Sequence, residues 1–87
     1  MAWSVYTYGS GRLFATDGRQ VRTWLPETGG WHLVEGLDPF EIEFPKPGDD
    51  DPAQPVGDLP AAMAACPATS AAGLAMYTDR PETLEIR

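Results

Sequence analysis

One cysteine, one histidine, one lysine and no asparagine stand among the 87 residues, and these scarcities exclude whole classes of chemistry. A single Cys66 permits no disulfide within the chain, and Cys66 with His32 cannot supply a zinc site from Cys and His alone. No glycine cluster opens a helix after a strand with the spacing of a phosphate loop or a dinucleotide fingerprint, and no serine sits in a nucleophile elbow. Long apolar runs are missing as well. Residues 59 to 78 carry no charge, but alanine dominates them and Pro60 and Pro67 interrupt them, so they are too weakly hydrophobic for a membrane span of ~20 residues. The opening residues show no basic region followed by an apolar run, so no secretory signal is read. The expected location is the cytoplasm, or a virion if the gene belongs to a bacteriophage. No cofactor is called for.

Bulky aliphatic side chains are scarce too. Leu, Ile, Val and Phe together number 16, close to the ~20% of a chain below which disorder sets in. Three Trp (Trp3, Trp24, Trp31) and three Tyr (Tyr6, Tyr8, Tyr77) add to this, because each aromatic ring buries ~150 to 250 Å². A 9.4 kDa chain folded alone is expected to remove only ~63% of its unfolded surface from water. This predicts a marginal monomer that gains stability from a protein partner or from its own copies.

The net charge of −7 is concentrated. Residues 1 to 34 sum to +1, residues 35 to 58 hold Lys46 against eight acids for −7, and residues 59 to 87 sum to −1. Such a segment repels nucleic acid and membranes and attracts a basic surface. Five Arg against one Lys, with abundant Ala, Gly and Pro, fit a GC-rich bacterial or viral genome.

The pattern predicts an α+β fold: a small antiparallel β-meander of about five strands, a Pro/Asp-rich arm and one or two short Ala-rich helices. Alternation and turn signals place strands at Trp3 to Tyr8, Arg12 to Thr16, Gln20 to Leu25 and Trp31 to Val34, with Asp17-Gly18 as a two-residue hairpin turn. Phe40-Glu41-Ile42-Glu43-Phe44 alternates cleanly and reads as a fifth strand with all three apolar residues inward. Thus residues 1–44 form the meander, 45–58 a linker or arm with four Pro and four Asp, and 59–87 the short helices and a terminal strand of the same domain. Asp58 is placed to cap a helix with Leu59, Met63 and Cys66 as its apolar stripe. Thr69 or Ser70 caps a second, and Thr83 to Arg87 forms the last strand.

Three motifs are best explained structurally. Leu25-Pro26-Glu27-Thr28-Gly29 spells the pentapeptide recognised by sortase transpeptidases. In that resemblance an apolar segment and a basic tail should follow; neither does, and a hairpin loop accounts for the residues. Asp49-Asp50-Asp51 lacks the alternate spacing of a calcium loop and reads as a solvated acidic cluster. Cys66, in an Ala-rich helix, should be a packed, unreactive thiol, with His32 at the surface. Acids such as Glu41 and Glu43 are accounted for by an exposed strand side, so catalysis is not expected.

What remains unexplained is the second face of the meander. Strict alternation puts Trp3, Val5, Leu13, Ala15, Val21, Leu25, Trp31 and Leu33 on one side. It puts Tyr6, Tyr8, Arg12, Phe14, Arg22, Trp24, His32 and Val34 on the other. Neither side is polar, whereas a small antiparallel sheet usually leaves one face to water. Part of the second face can lie under the helices. Its Arg and aromatic residues are also those that carry protein interfaces. The candidate interface is therefore Tyr6, Tyr8, Arg12, Phe14, Arg22 and Trp24, with Asp49, Asp50 and Asp51. Arg beside aromatic rings also stacks single strands, but the acidic charge argues against nucleic acid. The expected function is a non-catalytic structural or interaction protein, an accessory subunit of a larger assembly such as a bacteriophage virion. The alternative is an acidic inhibitor that mimics nucleic acid and enters a basic groove on its target.

Overall fold

Aromatic and β-branched residues separated by glycine-bearing turns give four consecutive strands: β1 (Ser4–Thr7), β2 (Leu13–Thr16), β3 (Val21–Leu25) and β4 (Gly30–Leu33). In this computed structural model, which describes residues 2–74, 77 and 80–85, they are followed by α1 (Pro39–Glu43), β5 (Gln54–Pro55), α2 (Leu59–Ala65) and α3 (Ala71–Leu74). The five strands form one antiparallel sheet in the order β4-β3-β2-β1-β5. The class is α+β, as the pattern predicts.

The faces of the sheet differ from strict alternation, and the loops explain why. Asp17-Gly18 does not close a two-residue turn; Thr16 stands opposite Val21, so residues 17 to 20 form a four-residue loop. The Asp17 carboxylate accepts from the Arg19 and Gln20 amides at 2.9 and 3.0 Å, and Gly18 takes the left-handed backbone conformation at φ 91. An even-numbered loop, whether the two residues expected or the four found, pairs odd positions with even ones, and paired residues share a face. Arg22 and Trp24 therefore join Ala15 and Leu13, while Val21 and Thr23 join Phe14. The four-residue loop 26–29 reverses the parity again, so Trp31 and Leu33 return to the side of Trp24 and Arg22. Only β3 is inverted against expectation.

The first face packs under α2. Val5, Leu13, Ala15, Trp31 and Cys66 are buried together, with Trp3, Trp24, Val56, Leu59, Ala62, Met63 and Leu84 against them. Asp58 caps α2 by accepting from the Ala61 amide, and the predicted stripe of Leu59, Met63 and Cys66 meets the sheet. Ser70 accepts from the Gly73 amide at the start of α3.

The second face packs under residues 34–53. The expected strand over Phe40–Phe44 is a helix: Asp38 accepts from the Phe40 amide at 2.9 Å and Pro39 occupies the first helical position. The helical turn sends Ile42 inward, fully buried with Val21 and Ala53, and turns Phe40 and Phe44 out to solvent. Residues 45–58 are likewise not a free arm. Gln54–Pro55 pairs with β1, the Val56 amide donates to the Val5 carbonyl, and Ala53 is buried. Asp51 accepts from the Gly9 amide at 2.7 Å.

The C-terminal segment closes the opposite edge. Trp31 and Glu82 exchange backbone hydrogen bonds at 3.1 and 3.0 Å, so the pairing falls one residue before the predicted strand, whose Ile86 and Arg87 lie outside the described residues. The sheet is thus bounded on one side by a two-residue strand and on the other by a β4 that pairs with Glu82 at Trp31, and short edges of this kind limit edge-to-edge association. His32, expected at the surface, is buried, with Thr28 Oγ1 2.7 Å from its Nε2.

Candidate protein-interaction site

The largest exposed apolar side chains are Phe40 and Phe44, 62% and 60% exposed. Their separation of four residues puts them on one side of α1, where their rings lie 4.9 Å apart at 37°. With Tyr8, Leu37, Glu41, Lys46 and Asp49 they line an open cavity of about 300 Å³. The floor is held by the fold. The Tyr8 amide donates a hydrogen bond to the Arg12 carbonyl at 3.1 Å, and its ring packs edge-on to Phe14 at 5.3 Å.

The rim is acidic. Burial raises the Tyr8 phenol above its ordinary value, and the carboxylates of Asp49, Asp51 and Glu41 raise it further. The Asp cluster is more ordered than a solvated linker: besides the Asp51 bond to Gly9, Asp49 Oδ1 accepts from the Asp51 amide at 3.1 Å. Asp50 is exposed.

The sequence-predicted interface is divided by the structure. Tyr6, Tyr8 and Phe14 lie half-buried on the second face around Val21, Ile42 and Ala53. Arg22 and Trp24 lie on the first face because of the β3 inversion. Arg22 is buried, donates to Gln20 at 3.1 Å and stands 3.4 Å from Glu82. Trp24 packs against Trp31 with ring centroids 5.6 Å apart. Arg12 lies at the β1–β2 loop, close enough to Cys66 to act on its thiol electrostatically. Of the nine candidates, Tyr8 and Asp49 line the cavity, with Asp51 near the Tyr8 phenol and Phe14 against its ring.

Phe40, Phe44, Leu37, Glu41 and Lys46 were not among the expected interface residues. Their signal was Asp38-Pro39, the same cap followed by proline that marks α2, combined with apolar residues at i and i+4.

Cys66 belongs to the first face and His32 to the second, so the sheet separates thiol from imidazole. Burial raises the Cys66 thiol above its ordinary value, against smaller opposing effects from the Leu13 backbone and Arg12. Among the described residues no group of three or more His, Cys, Asp or Glu is arranged to hold a metal ion, and no helix is long and apolar enough to cross a membrane. Residues 26–29 are folded into the β3–β4 turn, with the Thr28 and Gly29 amides donating to the Leu25 carbonyl, as a hairpin loop requires. No family model, curated protein or solved structure matches the chain.

Proposed function

We propose that the chain is a non-catalytic interaction protein, an accessory subunit of a larger protein assembly, and that it docks through α1. The observation carrying this reading is the Phe40–Phe44 pair. Both sheet faces are covered by the chain itself, yet these two rings remain outside, next to a cavity with an aromatic floor. Exposed aromatic side chains around a pocket are the anchors of protein interfaces. The accessible surface of 5540 Å² also exceeds the ~5000 Å² of an average monomer of this mass. A bacteriophage virion is one assembly that suits so small and acidic a subunit.

Sedimentation tests the reading. A tagged chain expressed in its source cells should travel with a particle much heavier than 9.4 kDa, and Phe40→Glu with Phe44→Glu should release it while the chain stays folded, its urea midpoint lowered by no more than about 2 M. Co-sedimentation of that double variant, or a free wild-type chain, refutes the proposal.

A second reading, an acidic inhibitor that mimics nucleic acid, draws support from Glu41, Asp49 and Asp51 converging on Tyr8. It requires binding to a basic groove that collapses with salt and is lost in Asp49→Asn with Asp50→Asn but survives Phe40→Ala with Phe44→Ala.

A further inference from the structure

We infer that the element seated in the Tyr8–Leu37–Phe40–Phe44 cavity is a basic segment of a different protein, one of whose arginine or lysine side chains lies against the rings with its charged end at Glu41 and Asp49. The inference rests on the interaction reading above and specifies the partner's chemistry.

The argument begins with what covering the cavity does to its walls. Glu41 and Asp49 line the same cavity as the two phenylalanines, and Asp51 stands near enough to act on the Tyr8 phenol. Any occupant that removes the rings from water also desolvates these carboxylates. An apolar occupant would leave them without compensation, at a cost that the buried ring area does not recover. Lys46, the only cation in residues 35–58, can offset one of them; the others require positive charge from outside.

A second copy of the chain is a poor source. Each copy carries −7, all of it matched by residues 35 to 58, so pairing through this face would set acid against acid. A cationic side chain fits on both counts. Its head pairs with carboxylates, and its stem or guanidinium plane lies on aromatic faces. Arginine suits the site better than lysine, since its planar head stacks on rings and bonds carboxylate oxygens in a fork. A volume of about 300 Å³, at the lower limit for ligand pockets, is suited to one or two side chains.

Amide-resolved NMR titration of the full chain tests this, with an end-blocked Gly-Leu-Arg-Leu-Arg-Gly peptide as probe and its Lys and Glu counterparts as comparisons. The Arg peptide should shift the signals of Tyr8, Leu37, residues 40–44 and Asp49, with the Lys peptide weaker and the Glu peptide silent. Glu41→Gln with Asp49→Asn should weaken the Arg peptide by about threefold or more, and raising salt from ~50 to ~300 mM should weaken it further. Phe40→Ala with Phe44→Ala should weaken it similarly with every charge retained, which separates a built site from loose attraction to an acidic surface. Asn at position 49 keeps the oxygen that accepts from the Asp51 amide, and urea midpoints confirm that each variant folds.

Equal binding of the Glu peptide, indifference to either double variant, no response to the Arg peptide, or self-association of the free chain through these residues overturns the inference. If the Glu41/Asp49 variant still sediments with the native assembly while the Phe40/Phe44 glutamate variant does not, docking through α1 stands and the basic partner is refuted.

Discussion

Truncating Phe40 and Ile42 of α1 and its C-cap Phe44 one at a time tests the division of labour on which the functional reading depends. Ile42 is fully buried against Val21 and Ala53, whereas Phe40 and Phe44 are 62% and 60% exposed. Ile42→Ala removes a buried branched side chain from a site where the sheet cannot collapse to fill the space, a change that costs about 2 to 5 kcal/mol. Phe40→Ala forfeits only the smaller covered part of its ring, about 1 kcal/mol at ~25 cal/mol per Å², and Phe44→Ala should match it. For a chain of this length total stability is of order 4 to 13 kcal/mol, so Ile42→Ala removes a large fraction while neither Phe substitution does.

Urea unfolding followed by the fluorescence of Trp3, Trp24 and Trp31 reads all three. With a slope of about 1 to 2 kcal/mol per molar urea, Ile42→Ala should lower the midpoint by roughly 1 to 5 M, and each Phe variant by about two- to fivefold less than that at the same slope. A strand over Phe40–Phe44 would place all three side chains on one face and make the losses alike. Losses equal within ~0.5 kcal/mol would refute both the helix and the claim that the phenylalanines are free to bind.

Four further outcomes follow from the geometry. A Cβ at Gly30 would overlap the Pro81 side chain and press on its backbone, so Gly30→Ala should cost about 1 to 3 kcal/mol and weaken protection of the Trp31 amide in hydrogen exchange. The raised Cys66 thiol should react with a disulfide reagent far more slowly in the native chain than in urea at the same pH. The Tyr8 phenol is raised, so its neutral form belongs to the folded state. Stability should therefore be unaffected by this group below ~10 and fall as pH climbs beyond, and ultraviolet titration should show Tyr8 ionising earlier in Asp49→Asn. Asp17 is lowered by the Gln20 amide first and the Arg19 amide second. The stability it contributes is present above the usual carboxylate value and lost as pH falls through its depressed one; the gap between wild type and Asp17→Ala in urea should narrow on acidification.

The readable parts of the sequence were those set by local chemistry. Glycine-bearing turns bounded four strands to within two residues, and Asp58 with Pro60 marked α2 because the cap and its proline act within one turn. Two features were not readable, each because a non-local choice competes with a local one, and a third was readable but misjudged. Five alternating residues at 40–44 suit a strand or a single helical turn equally; Asp38 and Pro39 decide, through a carboxylate that accepts from the Phe40 amide. The face of β3 is that third feature: the expected two-residue Asp17-Gly18 turn and the observed four-residue loop are both even, and either one puts Arg22 and Trp24 on the side of Leu13 and Ala15, so carrying strict alternation across the turn was the error. The linker composition of residues 45–58 hid an edge strand, since Pro55 can pair at a sheet margin where its missing N–H does no harm.

The same comparison changes why this chain should bind anything. A shortage of bulky side chains predicts a protein that needs a partner in order to fold, yet the chain packs its own residues on both faces of its sheet, α2 and Leu84 on one side and residues 34–53 on the other, and leaves only short edges. The proposed interface is therefore separable from the core. Within α1 the two roles sit on opposite sides of one helical turn, with Ile42 anchoring the segment and Phe40 and Phe44 presented by it. Docking can then be abolished by surface substitutions that leave folding intact, whereas an obligate companion would show loss of docking and loss of structure together. Such coupling, seen as unfolding of the Phe40→Glu, Phe44→Glu chain once freed from its assembly, would count against this separation.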